Sequence, residues 1–389
     1  MMKRWKKAAA LLAVSCFMAI GGGLVSRAWA YDARELAPLV SMKAASISDL
    51  TKEEDTRVFK VDPSIEVKNV RFQNRFGIEV AGHMYLPAQF DKSRQYKAVV
   101  LSGPFGAVKE QSSGLYAQEM AKHGYVAVAF DPSFTGESGG SVRNMGSPEV
   151  YTEDFSAAVD FVGSLKFVDR SKIGVIGICG LSGPAVTAAV NDTRVKAVAV
   201  SAMYNMSESI RDHYQGMYYT PEEREKVKNY LGDLRWKEAE TGTPIPANHE
   251  VALDSRGNPR YDGQGLPDAI DSHTDPVTAE FFHYYKERAY HPRSINSTTA
   301  FDARTPYGFF EFPLTEHVAE LSPRPLLIIT GDKAHSRYFS EELYRAAGEP
   351  KEMIVVPGAT HTDLYDQMDK IPFDRLEAFF DRALEGGRA

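Results

Sequence analysis

Cysteine is scarce in this 389-residue sequence, which contains only Cys16 and Cys179. Two cysteines allow at most one intrachain disulfide, which excludes a small scaffold held together by several disulfides. The sequence also has no internal repeat, heptad run or low-complexity tract. Charged residues make up 25% of the chain and hydrophobic residues 43%, and these proportions indicate a globular protein.

Residues 1–30 have the pattern of a secretory signal peptide. A basic start precedes an apolar run over residues 8–20, and residues 28–30 read Ala-Trp-Ala, a small-residue cleavage site. We therefore predict an exported protein, periplasmic or secreted, that is cleaved before Tyr31. Two alternatives remain open: an uncleaved membrane anchor, which the glycines after the apolar run disfavour, and lipid attachment at Cys16.

Positive charge is low in the predicted mature protein. The chain has a net charge of −7, and loss of residues 1–30, which hold five Lys or Arg and no acidic residue, makes it −12. Such an acidic protein is a poor candidate for binding nucleic acid or anionic membrane surfaces, and we expect no stable membrane insertion after cleavage. Cys179 would then have no partner for an intrachain disulfide. An unpaired thiol in an exported protein favours a catalytic role over a structural one.

The residues after the predicted signal are numerous enough for one large α/β core with an insertion. Residues 31–62 are mixed and polar, and we predict a partly helical lead-in. Apolar runs alternate with amphipathic segments over residues 63–202 and again over residues 319–389, which predicts a mostly parallel sheet flanked by helices. Residues 203–318 break the pattern and are rich in Tyr, Phe, Pro and acidic residues. We interpret this stretch as an inserted, largely helical cap.

The paired aromatic residues of the cap have two interpretations. They could line a pocket for an acyl group, or they could form the cap's own core, and the sequence favours neither. The pairs are Tyr218-Tyr219, Phe281-Phe282, Tyr284-Tyr285 and Phe309-Phe310.

A candidate nucleophile lies in the stretch from Lys172 to Val186, which reads KIGVIGICGLSGPAV. An apolar strand ends in a glycine-rich turn, and a helix follows from Pro184. Cys179 lies at the turn, so we predict a nucleophile elbow with Cys in place of the usual Ser. The unpaired N–H groups at the start of that helix favour a thiolate, with a pKa below the free value of about 8.5.

Other interpretations of this turn stay open. A lone cysteine is more often a buried small hydrophobe, but the strand and glycines around Cys179 favour the nucleophile. Ser182 is a competing nucleophile, although Pro184 stands where an elbow usually has a glycine. Leu181 stands where elbows usually have a small residue, which predicts looser packing of the helix on the strand.

The remaining catalytic candidates follow later strands. His361 comes after the last predicted strand and a Pro-Gly turn, where it can take the thiol proton and return it to the leaving group. Asp332 follows Gly331 at the end of another strand, and we predict that it orients His361, with Glu341 as the alternative acid. The order nucleophile, acid, histidine is that of α/β-hydrolases.

Backbone N–H groups of Gly180 and Phe105 are the predicted oxyanion donors. Gly180 follows the nucleophile, and Phe105 lies in the loop SGPFG after the strand YKAVVL. No histidine pair has the spacing of a zinc protease, and the glycines around the nucleophile match neither a dinucleotide fingerprint nor a phosphate loop. We therefore expect neither a metal nor a cofactor.

Five segments resemble the dienelactone-hydrolase-like branch of the α/β-hydrolase superfamily: IGICG, GPFGAVKEQ, FDPSFTGESGG, GDKAHSRYFSEE and PGATHTDLYD. The resemblance covers roughly residues 65–384 and extends to uncharacterised bacterial members and to fungal polyketide transferases and thiohydrolases. It implies an α/β-hydrolase fold, a Cys nucleophile at position 179, and acyl transfer to water or another acceptor. We predict an exported hydrolase that cleaves a small-molecule ester, thioester or lactone. An acyltransferase, a peptidase and a non-catalytic binding protein on the same scaffold are the alternatives.

Overall fold

The chain divides into residues 1–41 and a second unit of residues 42–389. The computed structural model describes only residues of the second unit, namely 43–212, 220–261, 263 and 265–385. The predicted signal peptide, Cys16 and the pair Tyr218-Tyr219 lie outside the described residues.

A nine-stranded sheet forms the centre of this unit. Within the described residues the strands are β1 (Ser46–Asp49), β2 (Glu66–Gln73), β3 (Glu79–Leu86), β4 (Tyr96–Ser102), β5 (Val126–Phe130), β6 (Val168–Ile178), β7 (Val195–Ser201), β8 (Pro246–Ala247), β9 (Phe301–Asp302), β10 (Leu326–Gly331) and β11 (Lys351–Val356). The large sheet has the order β1-β2-β3-β5-β4-β6-β7-β10-β11, and β8 pairs with β9 separately. Strands β5, β4, β6, β7, β10 and β11 run parallel to one another, whereas β1, β2 and β3 are antiparallel to their neighbours.

Helices cover the sheet and fill the insertion between β7 and β10. They are α1 (Ser112–Lys122), α2 (Pro148–Ser164), α3 (Ser182–Asn191), α4 (Met206–Asp212), α5 (Pro221–Thr241), α6 (Pro276–Phe282), α7 (Ile295–Thr298), α8 (Thr305–Glu311), α9 (Arg337–Ala346), α10 (Asp363–Asp366) and α11 (Phe373–Leu384). A π-helical stretch, His283–Arg288, continues α6. None of the helices in the described ranges is both long and apolar enough to cross a bilayer.

Local sequence explains where the longer helices begin and end. Ser147 precedes α2 and accepts a hydrogen bond from the N–H of Val150, and a proline follows it in the first turn. Thr220 and Glu223 form a reciprocal capping box at the start of α5, and this helix ends at Gly242 in a left-handed conformation.

The inner strands are apolar on both faces because both faces are covered. Val100 and Val175 belong to the core on one face of the sheet, and Leu101 and Ile176 belong to the core on the other. In the register of the sheet, Ser102 pairs with Gly177, at the carboxyl ends of β4 and β6. The loops after these strands therefore leave the sheet at the same edge, where ligands gather in parallel α/β folds.

The fold class predicted from the sequence is confirmed: a mostly parallel sheet flanked by helices, with a largely helical insertion. The lead-in is different from the prediction over its described part. Residues 43–62 contain β1 and turns but no helix, because β1 extends the sheet by pairing with β2. The exact domain boundaries, including those of the cap at residues 203–318, stay predictions.

Candidate active site

Cys179 lies in a sharp turn between β6 and α3. Its backbone has a φ of +54°, a left-handed conformation that non-glycine residues rarely adopt, and a 3₁₀ turn over Cys179–Leu181 leads into α3. Gly177 permits this turn, since a Cβ at that position would lie 2.6 Å from the Cα of Ser182. The structure therefore places Cys179 in the strand–turn–helix geometry of a nucleophile elbow.

The competing serine faces away from the site. Ser182 is fully buried at the start of α3, and its hydroxyl donates a hydrogen bond to the carbonyl oxygen of Gly177 at 3.1 Å. Leu181, which stands where a small residue is usual, is also fully buried. It packs beside Gly103 of the loop after β4, so the larger side chain contributes to the wall behind the nucleophile.

The structure brings His361 to Cys179 from 182 residues away along the chain. The Nε2 atom of His361 lies 3.4 Å from the Sγ atom of Cys179, and both side chains are buried. His361 follows β11, and the imidazole is within reach of the thiol proton.

Asp332 does not contact His361, and the predicted orienting contact is wrong. Asp332 is exposed, and its Oδ1 accepts the backbone N–H of Gly358 at 2.7 Å, so it stabilises the turn after β11 instead. The alternative acid, Glu341, pairs with Arg337 on α9. The Nδ1 atom of His361 meets the hydroxyl of Ser336 at 2.5 Å, so a neutral residue occupies the position expected for an acid.

The two predicted oxyanion donors converge on the nucleophile. The backbone N–H groups of Gly180 and Phe105 lie close enough to the sulfur of Cys179 to lower its pKa. A Cβ on Gly103 would lie 2.2 Å from the carbonyl oxygen of Ile178, so the loop after β4 approaches the elbow only because this residue is glycine. The Phe105 carbonyl accepts a hydrogen bond from the amide of Asn296 in the cap at 2.7 Å, which fixes the orientation of this peptide.

Two further polar residues at the site escaped the sequence analysis. The hydroxyl of Tyr365, on α10, lies 2.8 Å from Nε2 of His361 and is close enough to the sulfur of Cys179 to lower its pKa. Glu280, on α6 of the cap, accepts the backbone N–H of Thr362 at 2.5 Å. The tyrosine has a weak signal, since it stands four residues after the histidine in PGATHTDLYD, but nothing near Glu280 in the sequence marks it.

Burial keeps the resting pair neutral. Burial raises the pKa of Cys179 to about 11, although hydrogen bonds from Tyr365 and from backbone N–H groups oppose the rise. Burial also lowers the pKa of His361 well below its ordinary value, with a further contribution from His335. The expectation of a resting thiolate is therefore wrong, because loss of hydration outweighs the hydrogen bonds and the helix N-terminus.

The tautomer of His361 follows from its contacts. For Nε2 to accept the thiol proton, the ring must carry its own proton on Nδ1 and donate it to the Oγ atom of Ser336. Ser336 can therefore hold the ring orientation, but a hydroxyl brings no negative charge to balance the imidazolium that forms during a reaction.

A cavity of about 250 Å³ opens at Cys179 between the core and the cap. Of the described residues that line it, none is Lys, Arg, Asp or Glu, and most are aromatic or aliphatic. They are Phe105, Cys179, Tyr204, Met206, Asn248, His249, Gly265, Leu266, Pro267, Thr278, Phe281, Tyr285, Asn296 and Phe301.

The structure favours the pocket interpretation for two of the cap aromatics, because Phe281 and Tyr285 line the cavity. Phe282 is buried, and Tyr284 packs into the core under the sheet and not into a separate cap core. Phe309 packs on Phe105 with its ring centre 5.6 Å away, so it supports the cavity wall from behind.

A possible metal-binding group lies away from this cavity lining. In the described part of the chain, His123, Asp374 and Glu377 place ligand atoms within 4.8 Å of one another. The Nδ1 atom of His123 already pairs with Glu377 at 2.7 Å, which accounts for the grouping as an ion pair.

Comparisons with known proteins identify close relatives. The profile of the X-Pro dipeptidyl-peptidase (S15) family matches residues 77–267. The uncharacterised protein PA2218 of Pseudomonas aeruginosa is 49% identical over 337 residues, which are 86% of this chain and 85% of the relative. The crystal structure of PA2218 matches with a TM-score of 0.78 and 45% identity, covering 89% of this chain and all of that one.

A structural match gives the fold its name. The α/β-hydrolase GrgF from Penicillium sp. sh18 matches with a TM-score of 0.64 at 20% identity, over 82% of this chain and 99% of that one. The chain belongs to the same family as PA2218, and its fold is that of an α/β-hydrolase. This α/β-hydrolase is also 33% identical to the uncharacterised protein YcjY of Escherichia coli K12, over 74% of its own length and 89% of the relative.

A more distant relative has a named activity. A protein of Eupenicillium brefeldianum named as a thiohydrolase is 24% identical to this α/β-hydrolase, over 82% of the chain and 95% of the relative. The resemblance is confirmed at the level of the fold, which is of the hydrolase type.

Proposed function

We propose that this α/β-hydrolase cleaves an ester, thioester or lactone through a covalent acyl-Cys179 intermediate. The observation that carries the proposal is the 3.4 Å approach of the His361 Nε2 atom to the Cys179 sulfur at the mouth of an acyl-sized cavity. The two N–H groups that meet at the sulfur, those of Phe105 and Gly180, are placed to receive the carbonyl oxygen as it becomes an oxyanion.

In the proposed first half-reaction, the Cys179 sulfur attacks the carbonyl carbon while Nε2 of His361 takes the thiol proton. The tetrahedral oxyanion accepts hydrogen bonds from the two backbone N–H groups. The bond to the leaving oxygen or sulfur then breaks, and His361 returns the proton to the leaving alcohol or thiol. Because thiol and imidazole are neutral at rest, the thiol proton must pass to Nε2 of His361 during the acylation step.

In the second half-reaction, water takes the place of the leaving group. His361 removes a proton from the water, the resulting hydroxide attacks the acyl-thioester carbon, and the sulfur leaves and regains the proton. The products are a carboxylic acid and the original thiol.

The cavity favours an uncharged acyl group. Its walls are mostly aromatic and aliphatic, and an anionic or cationic group would lose its hydration there without a charged partner among the lining residues. The volume of about 250 Å³ is small for a ligand site, which favours a benzoyl or medium-chain acyl group over a long fatty acyl chain. The leaving group then lies towards the open side and is less restricted.

A second reaction on the same site is acyl transfer to an alcohol or amine. The peptidase family profile also makes peptide cleavage an alternative. The relative named as a thiohydrolase favours hydrolysis of a thioester. Product analysis with and without an added alcohol separates hydrolysis from transfer, because a transferase forms the new ester at the expense of the free acid.

The test of the nucleophile uses p-nitrophenyl esters and acyl thioesters that differ in chain length. We expect p-nitrophenyl benzoate and octanoate to be cleaved faster than the palmitate, and Cys179→Ala to abolish turnover. Ser182→Ala is the matched control and should retain activity, since its hydroxyl points to Gly177. Equal rates in wild type and Cys179→Ala would reject the proposed nucleophile, and no turnover by the wild type would favour a binding protein.

We also propose export through cleavage of residues 1–30. The sequence pattern of that segment supports this proposal, and N-terminal sequencing of the protein from a periplasmic fraction tests it. A mature N-terminus at Tyr31 is expected, and an intact or lipid-modified N-terminus would contradict it.

A further inference from the structure

Among the described residues, no carboxylate contacts the imidazole of His361 directly. Ser336 meets Nδ1 of His361, and Asp332 is engaged elsewhere. The proposed reaction nevertheless requires a buried imidazolium to form next to the thiol, and such a cation is costly unless a negative charge lies near it.

Glu280 brings a negative charge to this place from the cap. Its Oε1 accepts the N–H of Thr362, the residue after the catalytic histidine, and its Oε2 lies 3.8 Å from Nδ1 of His335. The ring centre of His335 lies 4.8 Å from that of His361. Glu280 therefore contacts both neighbours of the imidazole without touching the imidazole itself.

The neighbouring cap residue closes over the same ring. The ring centre of Phe281 lies 5.5 Å from that of His361 and 5.6 Å from that of His335. One turn of α6 thus supplies an apolar cover for the imidazole and a carboxylate beside it. The cover lowers the local dielectric, which strengthens the effect of the charge.

We propose that Glu280 is a positioning residue that performs, from the cap, the electrostatic role that an orienting acid performs from a strand end in related triads. The proposal rests on the proposed reaction of Cys179 and His361. Its consequence is that the site has its full charge balance only while α6 is docked on the loop that carries His361.

The charge state of Glu280 is suited to this role. Burial alone would raise the pKa of its carboxyl, but the nearby ring of His335 and the hydrogen bond from the Thr362 N–H outweigh burial and hold the pKa at about 2. Glu280 therefore stays ionised at neutral pH. Its charge raises the pKa of His361 and also raises the pKa of Cys179.

Other titratable groups also face His361, and the test must be read against them. They are Cys179 on the elbow, Tyr204 after β7, His335 before α9 and Tyr365 on α10. Among these five groups, only Glu280 carries a negative charge at rest. A shift of the His361 pKa in the direction expected for loss of a negative charge therefore points to Glu280.

The test compares Glu280→Gln with wild type in the full chain. The glutamine oxygen can still accept the Thr362 N–H, but the charge is gone. We expect kcat/KM for a p-nitrophenyl ester to fall at least about tenfold, the effect of one pKa unit. The acid limb of its pH profile should move to lower pH, because His361 loses the charge that raises its pKa.

Alkylation of Cys179 by iodoacetamide gives a readout that needs no turnover. The midpoint of its pH dependence should move to lower pH in Glu280→Gln, since the carboxylate no longer opposes the thiolate. Glu287→Gln is the matched control, because Glu287 follows in the same cap segment but is exposed and pairs with His283. It should leave both profiles unchanged.

Glu280→Asp separates charge from shape. It keeps the charge, so its acid limb should coincide with that of the wild type even if its rate is lower. Unchanged profiles in Glu280→Gln, or a shifted acid limb in Glu280→Asp, would overturn the inference. Activity that survives Cys179→Ala would instead reject the proposed function, so the two failures are distinguishable.

Discussion

At the scale of single residues, the site differs from a simple cysteine–histidine pair in its third polar contact. The hydroxyl of Tyr365 reaches both the Nε2 atom of His361 and the sulfur of Cys179. It can donate to Nε2 while the thiol is protonated and to the sulfur once Nε2 has taken the proton. The phenol therefore follows the negative charge as it develops.

Tyr365→Phe should weaken the nucleophile. Loss of a hydrogen bond to a charged group costs about 1.5–3 kcal/mol, which corresponds to a rate loss of roughly 10–150-fold in acylation. Because the Tyr365 hydroxyl lowers the pKa of Cys179, the midpoint of thiol alkylation in Tyr365→Phe should lie at higher pH than in the wild type. Stopped-flow acylation and iodoacetamide labelling measure the two effects.

Tyr284→Phe serves as the control for this prediction. Tyr284 packs against Tyr365 with a ring-centre distance of 4.8 Å. Its hydroxyl accepts the backbone N–H of Ser112 instead of contacting Cys179 or His361. It should lose some stability and keep the alkylation profile. A Tyr365→Phe enzyme with wild-type acylation would show that the phenol only fills space.

At the scale of elements, the core could be predicted from the sequence because each element carries its own pattern. The strand before Cys179 and the strand YKAVVL are apolar runs, and the elbow and the loop with Phe105 follow them directly. The positions of Phe105 and Gly180 beside Cys179 were predictable because each follows the end of a strand in the chain; their role as oxyanion donors stays a prediction.

The contacts across elements were not predictable in this way. Asp332 follows its strand as an orienting acid would, but its carboxylate satisfies a nearby backbone N–H, and the chain brings Ser336 to the ring instead. Glu280 lies in the cap, where the sequence has no strand–helix pattern to place it. Its role depends on how α6 docks, which only the folded chain determines.

The loop after β4 gives a prediction at this scale. Gly103 has a φ of +113°, and a Cβ there would collide with the carbonyl oxygen of Ile178. Gly103→Ala should displace the N–H of Phe105 from the site and lower kcat by about 10²–10³, the usual cost of one oxyanion donor. Steady-state kinetics measure kcat, and KM should change less.

Gly124→Ala provides a matched control for backbone strain. Gly124, after α1, also has a positive φ of +88°, but a Cβ there meets nothing within 4 Å. It should cost stability through strain alone and leave kcat near the wild-type value. If both glycine variants retain full kcat, the Phe105 N–H is not an oxyanion donor.

At the scale of the whole molecule, core and cap share a buried ionic network. The ammonium group of Lys109 pairs with Glu110, Asp131 and Glu137, at 2.9, 3.3 and 2.7 Å. Arg293, from the cap, pairs with Glu110 and Glu137. The backbone N–H of Lys109 donates to Asp131, so the network also anchors the end of the loop that carries Phe105.

Lys109→Met should therefore destabilise the whole unit. The change leaves Asp131 and Glu110 buried with less compensation, and breaking a buried pair in this way costs about 3–5 kcal/mol. Arg375→Met, which removes an exposed partner of Glu352, should cost no more than about 1 kcal/mol. Urea unfolding followed by circular dichroism measures both.

Because the network joins the cap to the loop after β4, activity of Lys109→Met should be lost at lower urea concentration than its secondary structure. Coincident loss in both readouts, or equal stability of the two variants, would mean that the network does not hold the cap and loop in place.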